Sequence, residues 1–182
     1  RQGIEDFCQK HSIGIVRAFQ SDAASIATLQ DVDGLICIGK FSDEEIHKFI
    51  DICKNIVFLD MPVSDYNITT LTMDFKAAVY DALDYLTELG HKRIAYLGGK
   101  EYVGNQELFT EERKQAFIAY TNKHELNDCL IFEDAFSTAS GYQMMQELLQ
   151  NEKLPTAVFA ASDAIAFGAM RAIQEKGLSI PD

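Results

Sequence analysis

Basic residues are scarce in this chain: 16 Lys and Arg stand against 28 Asp and Glu, a formal net charge of -12. A surface that binds nucleic acid needs clustered Lys and Arg to displace counterions, so these residues are not expected to hold DNA themselves. Long apolar runs are missing as well. No stretch of about 18 apolar residues occurs, which excludes a membrane-spanning helix. No signal peptide is visible, and Arg1 falls within a helical pattern with no initiator Met before it, so the sequence reads as part of a longer protein. Cys8, Cys37, Cys53 and Cys129 are the only cysteines, and no two stand at metal-ligand or redox spacing. They are expected to be reduced thiols packed as small apolar side chains, in a cytoplasmic protein.

Catalytic signatures are lacking too. Gly98-Gly99-Lys100 has neither the upstream glycine nor the following Ser/Thr of a phosphate-cradling loop, and no G-x-G-x-x-G follows a strand. His11, His47, His91 and His124 never pair at i, i+4, and no G-x-S-x-G elbow presents a nucleophile. The expectation is a protein that is not an enzyme and needs no metal or cofactor. Catalytic groups can lie far apart in sequence, so a small α/β enzyme stays open as a rival, to be recognised by turnover of a sugar or nucleotide.

What is present is an alternation. Short apolar, β-branched runs at 13–17, 34–38, 56–59, 93–97, 129–132 and 157–160 are separated by segments of helical period at 4–11, 23–29, 43–53, 74–89, 111–124, 139–150 and 164–176. Such a βα rhythm predicts α/β architecture, with parallel sheets covered by helices on both faces. At 182 residues the chain can make one large domain or two small ones. The rhythm pauses over 61–72, a turn-rich stretch with Pro62, Ser64, Asp65 and Asn67. This predicts two lobes, 1–72 and 73–182.

The best-marked helix begins at Asp74 as N-cap, carries Phe75, Val79, Ala82, Leu83, Leu86 and Leu89 on one stripe, and stops at Gly90, where a left-handed residue belongs. The most informative segment is 155–173. It reads as a buried strand that ends at Ser162-Asp163 and turns at once into an apolar helix, with Asp163 as the expected cap and Gly177 as the stop. Side chains at such a turn open onto the carboxyl end of the sheet, where open α/β folds bind small ligands.

Four pieces of the chain resemble, in order, the effector-binding core of LacI/GalR transcriptional regulators: Asp33-Gly34-Leu35-Ile36, Val57-Phe58-Leu59-Asp60, the run from Leu86 through His91-Lys92-Arg93 to Gly99, and the 155–173 block with its continuation to Pro181. Glu112-Arg113-Lys114-Gln115-Ala116-Phe117 is similar to the family's Arg-x-x-Gly-Phe, with Ala116 in place of the glycine. The resemblance implies the type I periplasmic-binding-protein-like fold, two Rossmann-like parallel-sheet lobes clasping a small effector. It also implies a cytoplasmic homodimer that represses sugar-utilisation genes. Operator DNA would be held by an N-terminal helix-turn-helix head absent from this sequence, and the effector would act by shifting the angle between the lobes.

Carried over position by position, the resemblance implies effector contacts at Asp60, Met73, Arg113, Phe136, Ser162 and Asp163. A carboxylate such as Asp60 can accept from sugar hydroxyls, or simply end a turn. Arg113 can span two hydroxyls with its forked donors, or be a solvated helix residue beside Glu111 and Glu112. Phe136 suits the apolar side of a pyranose, or a core. Ser162 stands where the family often has Asn, Asp163 is equally a helix cap, and Met73 lies where the lobes join. His91, just after Gly90, reads as structural. The stretches 33–39 and 58–60 are most similar to Gram-positive galactose or β-galactoside regulators, which implies a neutral, galactoside-like sugar. The alternative on the same fold is a periplasmic sugar receptor, which the four unpaired cysteines disfavour.

Overall fold

The computed structural model describes residues 1–20, 22–63, 67–103, 106–108 and 111–181. In chain order these form α1 (Gln2–Lys10), α2 (Ala23–Ala27) running into a 3-10 turn (Thr28–Asp31), β1 (Leu35–Ile38), α3 (Asp43–Ile52), β2 (Ile56–Leu59) and β3 (Thr69–Leu71). They continue as α4 (Phe75–Glu88), β4 (Ile94–Gly99), β5 (Glu101–Val103), β6 (Gln106–Leu108), α5 (Glu112–Lys123), β7 (Leu130–Asp134), α6 (Thr138–Leu148), β8 (Ala157–Ala160) and α7 (Asp163–Glu175). Two compact units result, Arg1–Thr72 and Met73–Asp182. Ser64 and Asp65, in the turn-rich stretch between them, lie outside the described residues.

The first unit holds a parallel sheet in the order β1-β2-β3. Period-two alternation sends Leu35, Cys37, Ile56 and Phe58 to one face, where they pack with Ile46, Phe49 and Leu29. Burial pushes the Cys37 thiol up to about 12, so it stays protonated and inert. A capping box fixes the start of α3: Glu45 N–H donates to Ser42 Oγ while the Glu45 carboxylate accepts from Ser42 N–H. On the other face Ile36, Ile38 and Leu71 remain half to two-thirds exposed.

Two local expectations are corrected here. Residues 13–17 form no strand, and Ile13, Ile15 and Val16 are exposed. Apolar β-branched residues favour extended backbone, but a strand also needs a ladder partner, and none of the described strands pairs with this segment. Conversely, a strand not foreseen in the turn-rich stretch, β3, pairs β-branched Thr69 and Thr70 with Val57 and Phe58.

The second unit is built around β4, flanked in parallel by β7 and β8. Every residue of β4 is buried because the strand is covered twice. Ile94 and Tyr96 face Val79 and Leu83 of α4 and Ala116, Phe117 and Tyr120 of α5. Ala95 and Leu97 face Met144, Met145 and Leu148 of α6 and Ile165, Ala169 and Ala172 of α7. The short antiparallel hairpin β5-β6 interrupts the βα rhythm between β4 and α5, a departure from the expected strict alternation.

Helix ends follow from named caps. Asp74 accepts from Ala77 N–H at 2.9 Å, and Gly90, at φ +92°, closes the same helix in the left-handed region that side-chain-bearing residues avoid. The expectation that Asp163 caps α7 is wrong. Ser162 is the last extended residue (φ -155°, ψ 159°) and accepts from Ile165 N–H, which makes Asp163 the first helical residue. Either side chain could serve chemically; the backbone admits only one. Asp163 still places negative charge at the helix N-terminus. Ser162→Ala should therefore lower the stability of this unit by about 1 kcal/mol, and Asp163→Ala by no more than about 0.5 kcal/mol. Urea denaturation of both variants checks this, and a larger loss for Asp163→Ala would return the cap to it.

Among the described residues, no helix is long and apolar enough to cross a membrane.

Candidate functional site in the second unit

The parallel strands of the second unit end together, and the loops that follow β4, β7 and β8 carry the candidate residues. Gly98 and Gly99 close β4. A Cβ built on Gly98 would lie 2.2 Å from the Tyr96 ring, and one on Gly99 would lie 2.4 Å from the Phe136 ring. The glycine pair, which cannot cradle a phosphate, instead makes room for two aromatic rings. Tyr96 turns toward α5, and Phe136, following β7, lies over the backbone of Gly99.

Phe136 stands on one face of the Arg113 guanidinium, its ring centre 4.7 Å from Cζ, and Phe75 stands at 4.7 Å as well. Two aromatic contacts on one guanidinium, with its side chain only 15% exposed, hold its plane in a fixed orientation. Hydrogen bonds fix its edges. Nε donates to Glu111 Oε1, Nη1 to the carbonyl of Ala161 at 3.1 Å, and Nη2 to Glu101 Oε1 at 3.3 Å. Three of five N–H groups are engaged by described residues, which leaves two for a ligand. The solvated-residue alternative for Arg113 is thereby corrected: a helix position beside two glutamates is buried because those rings flank it.

Glu111 is the hub of the cluster and is only 4% exposed. Its Oε2 accepts from Tyr96 Oη at 2.9 Å and from Lys114 N–H at 2.9 Å, the latter capping α5. Burial first, and the Glu111 carboxylate second, push the Tyr96 phenol upward, so it remains a donor. Lys114 Nζ pairs in turn with Glu133 of β7.

Of the six residues expected to contact an effector, the structure brings Arg113, Phe136 and the Ala161-Ser162 turn together at this rim. Ser162 Oγ is engaged as an acceptor by its own helix, which leaves its proton to donate. Asp163 is exposed on the first turn of α7, and Met73 is 65% exposed just before Asp74. Asp60 belongs to the first unit. It follows β2 with φ +67°, and Lys40, at the end of β1, donates to its carbonyl and pairs with its carboxylate at 3.6 Å. His91 bonds Thr156 Oγ1 at 2.9 Å, away from the rim, in the structural role expected of it.

Sequence reasoning missed Phe75, Glu101, Glu111, Tyr96 and Lys40. Phe75 looked like the first member of a core stripe. The unusual Gly98-Gly99 pair was the available signal, because adjacent glycines at a strand end mark a close approach of bulky groups. Among the described residues no group of three or more His, Cys, Asp and Glu is arranged to hold a metal.

Known proteins share this architecture. The sequence profile of the periplasmic binding protein-like domain matches residues 83–182. The HTH-type transcriptional regulator GalR of Streptococcus thermophilus is 34% identical over 185 residues, covering 100% of this chain and 55% of that protein. The HTH-type transcriptional repressor MelR of Bacillus subtilis is 30% identical over 188 residues, covering 100% of this chain and 54% of that protein. The chain thus spans about half the length of the curated relatives it matches. A LacI family regulator from Lactobacillus casei, solved with bound glucose, superposes with a TM-score of 0.78 at 23% identity over 100% of this chain and 71% of that one.

Proposed function

The chain belongs to the periplasmic binding protein-like domain family, in the branch of LacI/GalR regulators, and on that premise we propose that it is the effector-sensing part of a sugar-responsive transcriptional repressor. The effector is a small neutral sugar of galactoside type. Arg113, Phe136 and Ser162 hold it from the second unit, and Asp60 from the first, with Met73 and Asp163 nearer the margin. The two units are the two lobes of one effector-binding domain. The protein performs no catalysis on the sugar; binding is its whole chemistry.

One observation carries this reading. At the carboxyl rim of a parallel sheet, a guanidinium is stacked on two aromatic rings and keeps donors to spare. That is a device for orienting hydroxyls beside an apolar ring face. The glucose held by the L. casei regulator supports the ligand class.

Operator binding is assigned to a head outside these residues, as the HTH-type names of the relatives suggest and in keeping with the net charge of -12. A homodimer is supported by Phe167 and Met170, both exposed three residues apart on α7. A cytoplasmic location is supported by the four free cysteines. To move a repressor from 1:99 to 99:1 between two states, the sugar must favour one of them by about 5.5 kcal/mol.

Titration calorimetry with galactose and lactose tests the reading. Saturable binding without turnover is the expected result. Release of a hydrolysed or modified sugar would replace it with the enzyme reading, and heat from neither sugar would remove the galactoside class.

A further inference from the structure

Arg113 is a cation that the chain has already neutralised. The N-terminus of α5 gathers the donors that ordinarily bind a phosphate or carboxylate: a helix N–H at Lys114, the Tyr96 hydroxyl and Arg113 Nε. Glu111 occupies that position with its own carboxylate. A second carboxylate, Glu101 at the start of β5, takes Nη2 on the outer side. Lys114 adds no spare positive charge, because Glu133 pairs with it. Taken by themselves, Arg113, Glu111 and Glu101 sum to one negative charge.

We propose that Glu111 and Glu101 form a built-in anion that bars charged ligands from Arg113, and that Glu101 is the residue setting selectivity for neutral polyhydroxyl compounds over their phosphorylated or carboxylated forms. The inference rests on Arg113 being an effector contact, and it deepens that reading. The chemistry lies in charge, which a hydroxyl does not bring to the Glu101 carboxylate and a phosphate or carboxylate does. A hydroxyl accepts from a spare Arg113 N–H and at the same time donates to the Glu101 carboxylate, so both partners are satisfied. A phosphate or carboxylate can also accept from Arg113, but it brings like charge against Glu101 in a partly desolvated place. Lys40 and Asp60 in the first unit repeat the pattern, a base already paired with an acid at a strand end. Glu111 is fixed by three donors and is part of the fold. Glu101, on a short hairpin, is the member that can be exchanged.

The test titrates the ¹⁵N-labelled chain with inorganic phosphate at pH 7 and constant ionic strength, following the Arg113 Nε–H resonance, in the wild type and in Glu101→Gln. The wild type should show no saturable shift, and Glu101→Gln should bind phosphate at least about tenfold more tightly, as expected from removing one adjacent like charge. Glu101→Ala carries the same expectation, so the outcome does not hang on the folding of one variant. Saturable phosphate binding to the wild type, or no gain in either variant, would overturn the proposal. Galactose is titrated in parallel. If it leaves the resonance unmoved while Glu101→Gln gains phosphate, the galactoside reading falls and the charge filter stands. Galactose binding without that gain removes the charge filter and leaves the galactoside reading in place.

Discussion

Gly168→Ala should unfold the second unit about 2–3 kcal/mol more easily, the upper range for overpacking a well-filled interior. In an exposed helix the same change stabilises by nearly 1 kcal/mol, since alanine restricts the unfolded chain and favours helical backbone. Here the sign reverses because α6 and α7 touch backbone to backbone. A Cβ on Gly168 would lie 2.1 Å from the Thr138 carbonyl oxygen and 2.6 Å from the Tyr142 nitrogen; one on Gly141 would lie 2.3 Å from the Ile165 carbonyl oxygen. Neither helix can yield by rotating a side chain, so they must separate, and Met144, Met145, Leu148, Ala169 and Ala172 lose their packing with them. Ser162, the cap of α7, would shift with its helix and carry the rim along. Thermal melts check this: a fall of roughly 10 °C is expected for a unit of this size. Gly3→Ala, in α1 with nothing within 4 Å of the added methyl, should melt no lower than wild type. Unchanged melting of Gly168→Ala would mean that the helices are farther apart than described.

That contact illustrates what a sequence conceals. The helix bearing Gly168 was legible from its 3.6-residue apolar period, its cap region and Gly177; that Gly168 meets another backbone was not, because period assigns a face and not a distance. The buried strand β4 was legible for the opposite reason. An unbroken apolar run is required of a strand covered on both sides, and Ile94, Tyr96, Ala95 and Leu97 divide between two helix layers as such a run demands. Residues 13–17 also carry apolar, β-branched side chains and form no strand, since pairing is a property of the neighbour as much as of the segment. At the rim, Arg113 and Phe136 were named through the family resemblance. Their partners escaped because the contacts are non-local or disguised: Glu101 stands on a three-residue strand too short to show a period, Phe75 occupies a helix-stripe position, and Glu111 looks like one more acid in a strongly acidic chain. Composition argues for solvated glutamates, and only the converging donors reveal why this one is buried.

Arg113→Ala should abolish measurable sugar binding and also weaken the fold, and the two losses can be separated. Hydrogen bonds from a charged donor contribute about 1.5–3 kcal/mol each, so losing two spare donors lowers affinity by about a hundredfold or more. Phe75 and Phe136 also lose the guanidinium between them, and the ring expected to lie against the sugar is no longer held. Stability falls for another reason. Glu111 keeps Tyr96 and the Lys114 amide but loses its cation, and breaking a buried pair from one side costs about 3 kcal/mol, near the lower end of the usual range because two donors remain. Arg113→Lys divides these effects. An ammonium restores a positive charge beside Glu111 and should recover most of the stability in urea denaturation. It has no planar face to stack on two rings and no fork to reach Ala161, Glu101 and a ligand together, so calorimetry with galactose should still show binding weakened by about tenfold or more. If lysine restores affinity along with stability, Arg113 acts only as a counter-ion to Glu111, and the effector is held elsewhere.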